Sequence, residues 1–252
     1  MRPAPGIRHG LARVLSKAGV CSRAEATRWI QGGRVRVDGR VVSDPETPIV
    51  SGSHRIEVDG RALEAPGYHY LMVNKPRGLV TSASDERGRD TVYRCLDGAG
   101  LPWVAPVGRL DRASEGLLLM SNDPAWAAAI TDPLRGPVKT YHVQIDTVPT
   151  PMLLAALVQG IDEAGDRLSA SAARLLRAGG RNAWLEIVLD EGRNRHIRRL
   201  LAAHGVAVLR LVRVAIGPLL LGELGKGGFR HLQTQEVRQL AMPSGNGHDA
   251  SS

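Results

Sequence analysis

The sequence predicts an α+β protein in two parts, a small helix–helix–hairpin domain followed by a larger mixed domain. Near the N-terminus, apolar residues recur with the period of a helix and are followed by short alternating segments around an Asp-Gly turn. Further along, alternating segments outnumber helical ones and their connections are irregular. Hydrophobic residues make up 43% of the 252 residues, which is enough for a packed core.

The small domain is predicted over residues 7–66. Apolar residues spaced i, i+3, i+4 and i+7 predict a first helix that ends at Gly19. Ser22, followed three residues later by Glu25, forms a capping box, so a second helix is expected to start at about Arg23.

A hairpin is predicted after these helices. The segment Val35–Val37 alternates apolar and basic residues, and Asp38-Gly39 supplies the tight turn that leads to Val41-Val42. A further short strand is predicted at Ile56–Val58, and residues 61–69 are interpreted as a linker.

The larger domain is predicted over residues 67–240, and residues 241–252 are predicted to be a disordered tail. Alternating apolar residues predict its strands, whereas N-caps, Pro in the first turn and terminating glycines predict its helices. The predicted strands are 70–73, 103–107, 141–145, 183–189 and 206–216. The predicted helices are 125–131, one from Thr150-Pro151 to Gly160, and one capped by Asn194 that ends at Gly205.

The charge balance indicates a polyanionic partner. The formal net charge is +8, and only four of the 33 basic residues are lysine. Arginine carries a planar fork of donors suited to phosphates and bases, so nucleic acid is the expected partner. A GC-rich genome also favours arginine over lysine, but it does not account for the sign of the net charge.

Several classes of protein are excluded by missing patterns. Two distant cysteines, Cys21 and Cys95, build neither a disulfide framework nor a thiolate zinc site. No HExxH or GxGxxG pattern occurs, and Gly225-Lys226 lacks the flanking residues of a phosphate-binding loop. No apolar segment is long enough for a membrane span or a signal peptide. We therefore expect no metal, no nucleotide cofactor, no membrane and a cytoplasmic location.

The densest candidate site lies within residues 106–123. Asp111 stands between Arg109 and Arg112, in a Gly-bounded loop that leads into the apolar run Leu117–Met120. A carboxylate in such a loop is a candidate nucleophile when it stays ionised in a cleft. The alternative is that Asp111 pairs with Arg109 or Arg112 and clamps the fold.

A second candidate lies on the predicted helix that begins near Asn194. Arg195, Arg198 and Arg199 share one face at spacings i, i+3 and i+4, and no acidic residue lies nearby in the following sequence. That face is expected to bind a phosphate or a carboxylate such as Asp111, unless it is simply solvated.

A third candidate is the strand segment Lys139-Thr140-Tyr141. An aromatic ring beside a cation forms a stacking platform for a nucleic-acid base. The alternative is that Tyr141 is an ordinary core residue.

The small domain resembles the RNA-binding domain named after small-subunit ribosomal protein four. The resemblance is carried by Leu15–Arg23 and Gly33–Gly39, where glycine stop, cap and hairpin follow the order of that family. It implies contacts with RNA phosphates, for which the candidates are Arg13, Lys17, Arg23, Arg28 and Arg34.

The whole of residues 7–240 resembles the RsuA/RluB-like pseudouridine synthases that modify ribosomal RNA. The resemblance rests on Gly-Arg-Leu-Asp followed by Gly-Leu-Leu-Leu, and on Asn74–Gly78 as the family's first strand and loop. It implies a mainly antiparallel catalytic sheet, isomerisation of uridine without a cofactor, and no metal. It also implies the site roles: Asp111 as catalytic carboxylate, Tyr141 against the base, Arg198 paired with Asp111, and Arg109 near the flipped nucleotide.

Some residues depart from the family pattern, and some alternatives stay open. Ser114 replaces a frequent Thr, Pro124 a common Gly, and His196 a frequent Gln. The rival functions are a non-catalytic RNA-binding assembly factor and a glycoside hydrolase that uses Asp111 with Glu115.

The resemblance implies ribosomal RNA, or an assembly intermediate, as the partner of a monomeric enzyme. The segment that includes Ser114 and Glu115 favours the large subunit, with the small subunit as the alternative. Arg195 and Arg199 are predicted RNA contacts in the catalytic domain.

Overall fold

The computed structural model describes residues 8–50, 54–63, 67–83, 85 and 87–242. The predicted tail lies outside the described residues from position 243 onward. The described residues cluster into two compact units. The first unit takes those up to Tyr70 together with Gly98–Ala105 and Met120–Pro124, and the second takes the others.

The helices of the first unit form where the sequence predicts them. The second helix begins at Arg23 because the Ser22 hydroxyl accepts a hydrogen bond from the Glu25 amide at 3.1 Å. The helices are α1 (Leu11–Lys17) and α2 (Arg23–Gln31). The strands are β1 (Arg8–Gly10), β2 (Val35–Val37), β3 (Arg40–Val41), β4 (Pro48–Val50), β5 (Ile56–Val58) and β6 (Arg61–Ala62).

A small apolar core holds the first unit together. Leu11, Leu15 and Ile30 are fully buried between the helices, and Val35 and Ile49 join them from the strands. Burying a side chain of this size contributes roughly 1.5–3 kcal/mol. This explains how a module with short strands stays ordered.

The strands of the first unit form two small sheets. Strand β1 pairs antiparallel with β4, and β3, β2, β5 and β6 form a four-stranded sheet in that order. The predicted linker over 61–69 is wrong at its start, because Arg61 and Ala62 pair with Val58 and Glu57. The Asp59-Gly60 turn therefore closes a second hairpin.

The second unit contains a large sheet with helices around it, apart from a few end residues of these elements that fall in the first unit. Its strands are β7 (Tyr70–Lys75), β8 (Ala105–Val107), β9 (Glu115–Ser121), β10 (Lys139–Ile145), β11 (Ile161–Glu163), β12 (Asp166–Leu168), β13 (Ala172–Ala178), β14 (Ala183–Leu189), β15 (Val208–Ile216), β16 (Leu219–Leu220) and β17 (Phe229–His231). Its helices are α3 (Pro124–Thr131), α4 (Pro151–Gln159), α5 (His196–Ala202) and α6 (Thr234–Ala241), with a short 3-10 helix at Val92–Leu96.

The order of strands in this sheet is β13, β14, β10, β15, β9, β7 and β17, with β16 on β15 and β8 on β9. Strand β10 pairs antiparallel with both β14 and β15, whereas β9 runs parallel to β15. The fold is therefore α+β with a mainly antiparallel sheet, as the sequence and the resemblance predict.

Alternation along β10 and β14 separates the two faces of the sheet. Tyr141, Val143 and Ile145 are buried, while His142 and Gln144 between them are half-exposed. The same parity buries alternate residues of β14. Only an odd or an even set can face a core, so this pattern fixes which side chains reach the site.

Several predicted boundaries differ from the structure by a few residues, including the starts of α5, β8 and β15. Helix α5 begins at His196, and its N-cap is Arg195 at φ +50° rather than Asn194. Strand β15 begins at Val208 instead of residue 206, because the Val206 amide donates to the Leu201 carbonyl and closes the end of α5.

Several elements were not predicted from the sequence, among them β13, the hairpin β11–β12 and α6. Strand β13 lies at the sheet edge and has little apolar alternation, since most of its residues are exposed. The hairpin β11–β12 is only three residues long on each side. Helix α6 extends to Ala241, the first residue of the predicted tail.

Within the described ranges, we find no helix with the length and apolar character needed to cross a bilayer.

Candidate active site

A cavity of about 400 Å³ opens in the second unit. Asp111 is the only carboxylate among the described residues that line it, and Tyr141 contributes an aromatic ring. Six cationic side chains share the lining, so the cavity suits an anionic ligand. They are Arg109, Lys139, Arg193, Arg195, Arg198 and Arg213.

Lys75, the last residue of β7, holds the loop that carries Asp111 through hydrogen bonds. Lys75 is fully buried, and its ammonium donates to the carbonyls of Asp111 at 3.1 Å, Ser114 at 2.9 Å and Pro76 at 3.2 Å. Burial lowers the pKa of Lys75 to about 8, although the nearby Cys95 and Asp111 act in the opposite direction. These hydrogen bonds fix the main chain at Asp111 and at Ser114, three residues later.

Two further side chains hold the same loop. The Thr81 hydroxyl donates to the Leu110 carbonyl at 2.7 Å, and the Arg198 Nη2 donates to the Ala113 carbonyl at 3.2 Å. Hydrogen bonds from these two side chains hold the loop in one conformation. The Asp111 carboxylate is therefore presented to the cavity on a fixed main chain.

The alternative role for Asp111, an ion pair that clamps the fold, is not formed. Within the described ranges, neither Arg109 nor Arg112 makes an ion pair with Asp111. Arg112 instead donates from Nε to the Gly78 carbonyl at 3.1 Å, and Arg109 is exposed. The carboxylate is thus available to a ligand.

Arg198 lies beside Asp111 but is held by main-chain oxygens. Its Nη1 donates to the Val208 carbonyl and its Nη2 to the Ala113 carbonyl, each at 3.2 Å. Among the described residues, no ion pair within 4.0 Å joins Arg198 to Asp111. Burial and the charge of Arg195 lower the pKa of Arg198, and the charge of Asp111 partly offsets them. The predicted pairing is thus electrostatic proximity in this structure.

Tyr141 occupies the position that the sequence predicts. It lies on β10 opposite Arg213 of β15 and Ile187 of β14, and it is 7% exposed. Lys139, two residues earlier on the same face, has its pKa lowered by burial and by the charge of Arg213. An aromatic ring and two cations therefore lie next to each other in the lining.

Arg199, a predicted RNA contact, forms ion pairs with carboxylates of the chain. Its Nε donates to Glu163 at 2.6 Å and its Nη1 to Asp166 at 2.8 Å, while Arg193 binds Asp166 at 2.7 Å. Hydrogen bonds from Arg199, then from Arg193, lower the pKa of Asp166. Arg199 thus has carboxylate partners within the chain, which corrects the view that its face lacks them.

Arg195 remains in the lining and carries an unusual backbone. It is exposed, and its φ of +50° and ψ of 30° place it in the left-handed region. A residue with a Cβ adopts this conformation at a cost of order 1–3 kcal/mol, so its surroundings hold it there. Arg195 therefore precedes α5 as its N-cap instead of lying within the helix.

The candidate RNA contacts of the first unit fall into two groups. Arg23 pairs with Glu46 at 3.0 Å, and Arg34 binds Asp59 through two nitrogens. Arg13 and Arg28 are exposed, and in the ranges that the structure covers no hydrogen bond or ion pair occupies either guanidinium. Lys17 lies 3.3 Å from His9, whose pKa is lowered by desolvation and by the charges of Lys17 and Arg13.

Sequence reasoning missed Lys75 and Arg213 as members of the site. Both stand at buried strand positions where an apolar residue is expected: Lys75 ends an apolar strand, and Arg213 shares the buried parity of Leu211 and Ala215. A cation at a core position of a strand is the signal that would have found them.

Glu115 is not a second carboxylate of the site. It is 4% exposed and lies outside the cavity lining, where it pairs with Arg210 at 2.7 Å and Lys226 at 2.8 Å. Burial acts to raise the pKa of Glu115, but the hydrogen bonds from Arg210 and Lys226 outweigh burial and lower it. The Asp111–Glu115 pair of a glycoside hydrolase is therefore not formed.

Across the described ranges, no group of three or more His, Cys, Asp or Glu side chains is placed to hold a metal ion.

Two family models match the chain. The model described as RNA pseudouridylate synthase matches residues 69–203, and the model described as S4 domain matches residues 10–54.

Curated relatives extend the similarity over nearly the whole chain. An uncharacterised RNA pseudouridine synthase of Rickettsia prowazekii is 37% identical over 234 residues, which covers 92% of this chain and 98% of the relative. The ribosomal large subunit pseudouridine synthase B of Bacillus subtilis is 34% identical over 243 residues, with 95% and 98% covered.

A solved structure shares the fold. The crystal structure of a pseudouridylate synthase superposes with a TM-score of 0.64 at 29% identity, and the match covers 93% of this chain and all of that one.

Proposed function

Because the chain belongs to the RNA pseudouridylate synthase family, we propose that it converts one uridine of ribosomal RNA to pseudouridine, with Asp111 as the catalytic carboxylate. The observation that carries this proposal is one carboxylate among six cations in a single cavity, on a loop fixed by Lys75, Thr81 and Arg198. The cations of the cavity attract the negatively charged RNA.

The reaction sets the requirements that the cavity must meet. The N-glycosidic bond of the uridine breaks, the base rotates, and carbon five of the uracil bonds to the ribose. A base inside folded RNA must first leave its stack, at a cost of a few kcal/mol. Nothing is oxidised or energised in this exchange, so no cofactor is required.

Each side chain takes one task in this scheme. Asp111 acts at the anomeric carbon of the ribose, as a nucleophile or by stabilising positive charge that develops there. Tyr141 stacks against the flipped base. Arg198 positions the Asp111 loop through the Ala113 carbonyl and adds a positive charge nearby.

The substitution Asp111→Asn tests this assignment. The amide keeps the size of the side chain but loses its charge and nucleophilicity, so we expect conversion of uridine in rRNA transcripts to fall at least 1,000-fold, on the order of what removing a catalytic group costs. RNA affinity should persist, because the cations of the cavity are unchanged.

The matched control is Asp162→Asn, which replaces an exposed aspartate that pairs with the exposed Arg167. It should convert uridine at the wild-type rate. Full activity of Asp111→Asn on the same transcripts would overturn the assignment, and a non-catalytic assembly factor would then be the better account.

The proposed substrate is large-subunit rRNA, either free or in an assembly intermediate. The support is the name of the Bacillus subtilis relative, which is 34% identical over nearly its full length. Pseudouridines should be mapped in rRNA from cells with and without the gene. Loss of one large-subunit signal is the expected result, and loss of a small-subunit signal would correct the target.

The N-terminal domain, proposed to end near residue 66, is assigned to RNA binding. Its support is the S4 match over 10–54 and the exposed cations Arg13 and Arg28. A cytoplasmic monomer is part of the same proposal, and light scattering of the purified chain would check the oligomeric state.

A further inference from the structure

Arg213 is a buried cation in the cavity with a hydrogen-bonding group left over. It is 5% exposed and lines the same cavity as Asp111 and Tyr141. Its Nε donates to the Leu117 carbonyl at 2.7 Å. Its Nη2 is buried, and within the described residues it has no hydrogen-bond partner.

The charge of Arg213 is also not cancelled. None of the ion pairs formed among the described residues includes it, and its charge helps to lower the pKa values of Lys139 and Lys75. A buried charged group with an unpaired N–H raises the free energy of the folded state. Such a group in a cavity is typical of a ligand site.

The main chain of Arg213 is fixed by close packing against β9. The parallel pairing places Arg213 opposite Gly116, where a Cβ would fall inside the contact radius of the Arg213 carbonyl oxygen and 2.9 Å from its amide nitrogen. On its other side β10 places Tyr141 opposite it. The guanidinium is therefore held in place before any ligand arrives, as electrostatic stabilisation requires.

We propose that Arg213 donates from Nη2 to a carbonyl oxygen, O2 or O4, of the flipped uracil and stabilises the negative charge of the detached base. This inference rests on the proposed function. When the bond between N1 and the anomeric carbon breaks, its electron pair stays with the uracil and spreads onto O2 and O4. Carbon five then bonds to the ribose, its proton is lost, and N1 gains a proton, so the exchange is balanced.

The position of Arg213 selects the base rather than the phosphate as its ligand. A flipped nucleotide sends its base into the pocket, while its phosphates stay with the RNA chain outside. Arg109 and Arg195 are exposed members of the same lining and suit those phosphates. The buried Arg213 suits the part of the ligand that enters.

A combined substitution of enzyme and substrate tests the contact. Sulfur accepts hydrogen bonds more weakly than oxygen, so the target uridine is replaced by 2-thiouridine or by 4-thiouridine. Single-turnover rates are measured for wild type, Arg213→Met and Arg213→Lys. We expect one of the thio substitutions to slow the wild type roughly 10–100-fold, the range for a hydrogen bond to a charged group, and to slow Arg213→Met by less than about threefold.

The second variant and a control keep the outcome decisive. Arg213→Lys keeps the charge and replaces Arg213→Met in the experiment if that variant does not fold. It should also show a smaller thio effect than the wild type. Arg210→Lys, on the same strand but paired with Glu115 away from the cavity, should show the wild-type thio effect.

Two results would overturn the assignment. Equal thio effects in wild type and both Arg213 variants would mean that Arg213 does not touch the base. Coupling to a phosphorothioate at the target nucleotide, without coupling to either thiouridine, would assign it to the phosphate. Both presuppose that the wild type converts the unmodified transcript, whereas an active Asp111→Asn would overturn the proposed function itself.

Discussion

Two arginines of the first unit and three cations around the Asp111 loop of the second unit are held by different partners. In the first unit, the paired arginines Arg23 and Arg34 are exposed and bind the carboxylates of Glu46 and Asp59. In the second unit, the buried Lys75 and Arg213 and the half-buried Arg198 are held by main-chain carbonyls.

This difference decides what charge is left for RNA. A carboxylate cancels the charge of its partner, whereas a carbonyl fixes a cation and leaves its net charge in place. Buried charge also acts in a lower dielectric, so it is screened less by salt. The cavity therefore keeps a positive field around Asp111, and the first unit offers RNA only the cations that no carboxylate has neutralised.

The substitution Gly116→Ala should have the largest effect, because it disrupts the packing that holds the main chain of Arg213 beside the cavity. Gly116 has φ +100°, and an added methyl group would collide with the main chain of Arg213. We expect the free energy of unfolding to fall by roughly 2–6 kcal/mol, from backbone strain and overpacking together. Chemical denaturation measures this directly.

Gly165→Ala separates strain from collision. Gly165 has φ +80° in the β11–β12 turn, and a Cβ there meets nothing within 4 Å. The free energy of unfolding should fall by only about 1–2 kcal/mol, the cost of the left-handed conformation. Equal decreases for the two variants would show that the close approach of β9 and β15 is not tight.

The substitution Lys75→Met should show how the buried charge of Lys75 affects the pH dependence of stability. Burial lowers the folded-state pKa of Lys75 to about 8, against 10.5 for a free lysine. Between these values the unfolded chain binds more protons, so wild-type stability should rise with pH by roughly 3 kcal/mol relative to Lys75→Met. That stability is fully present above about pH 10.5 and is lost as pH falls through about 8.

Lys17→Met provides the matched control, since Lys17 is an exposed lysine of the first unit. Its unfolding free energy should run parallel to that of the wild type over the same pH range. If the difference between wild type and Lys75→Met were flat from pH 7 to 11, Lys75 would titrate as an ordinary lysine.

Much of the fold could be predicted because local rules agree with the tertiary structure. The cap at Ser22, the turn at Asp38-Gly39 and the alternation through Tyr141 each specify their element within a few residues. Strand β13 could not be predicted, because an exposed edge strand needs no apolar alternation.

The candidate site was predictable only where a motif marks it. Asp111, Tyr141 and Arg198 stand in recognisable segments, and the structure brings them to one cavity. The partners of Arg199 were missed because Glu163 and Asp166 lie more than 30 residues earlier in the chain. Ion pairs between distant residues leave no local pattern.

The smallest expected effect comes from the exposed arginines of the first unit, and it sharpens the comparison within that unit. Arg13→Gln with Arg28→Gln removes two cations that no carboxylate occupies in the described ranges. Each phosphate that the protein no longer neutralises should reduce the slope of log affinity against log salt by about 0.7–0.9. We expect a reduction of about 1.5 in that slope, a several-fold weaker affinity for rRNA transcripts, and an unchanged rate at saturating RNA.

The matched pair is Arg23→Gln with Arg34→Gln, which changes the net charge by the same amount. It removes cations that Glu46 and Asp59 already neutralise, so its salt slope should stay closer to that of the wild type. Because net charge is equal in the two double variants, any difference between their slopes reports direct phosphate contact rather than long-range attraction. Identical slopes would mean that the surface carboxylates release their arginines to RNA, and the contrast between paired and unpaired cations would then not decide RNA binding.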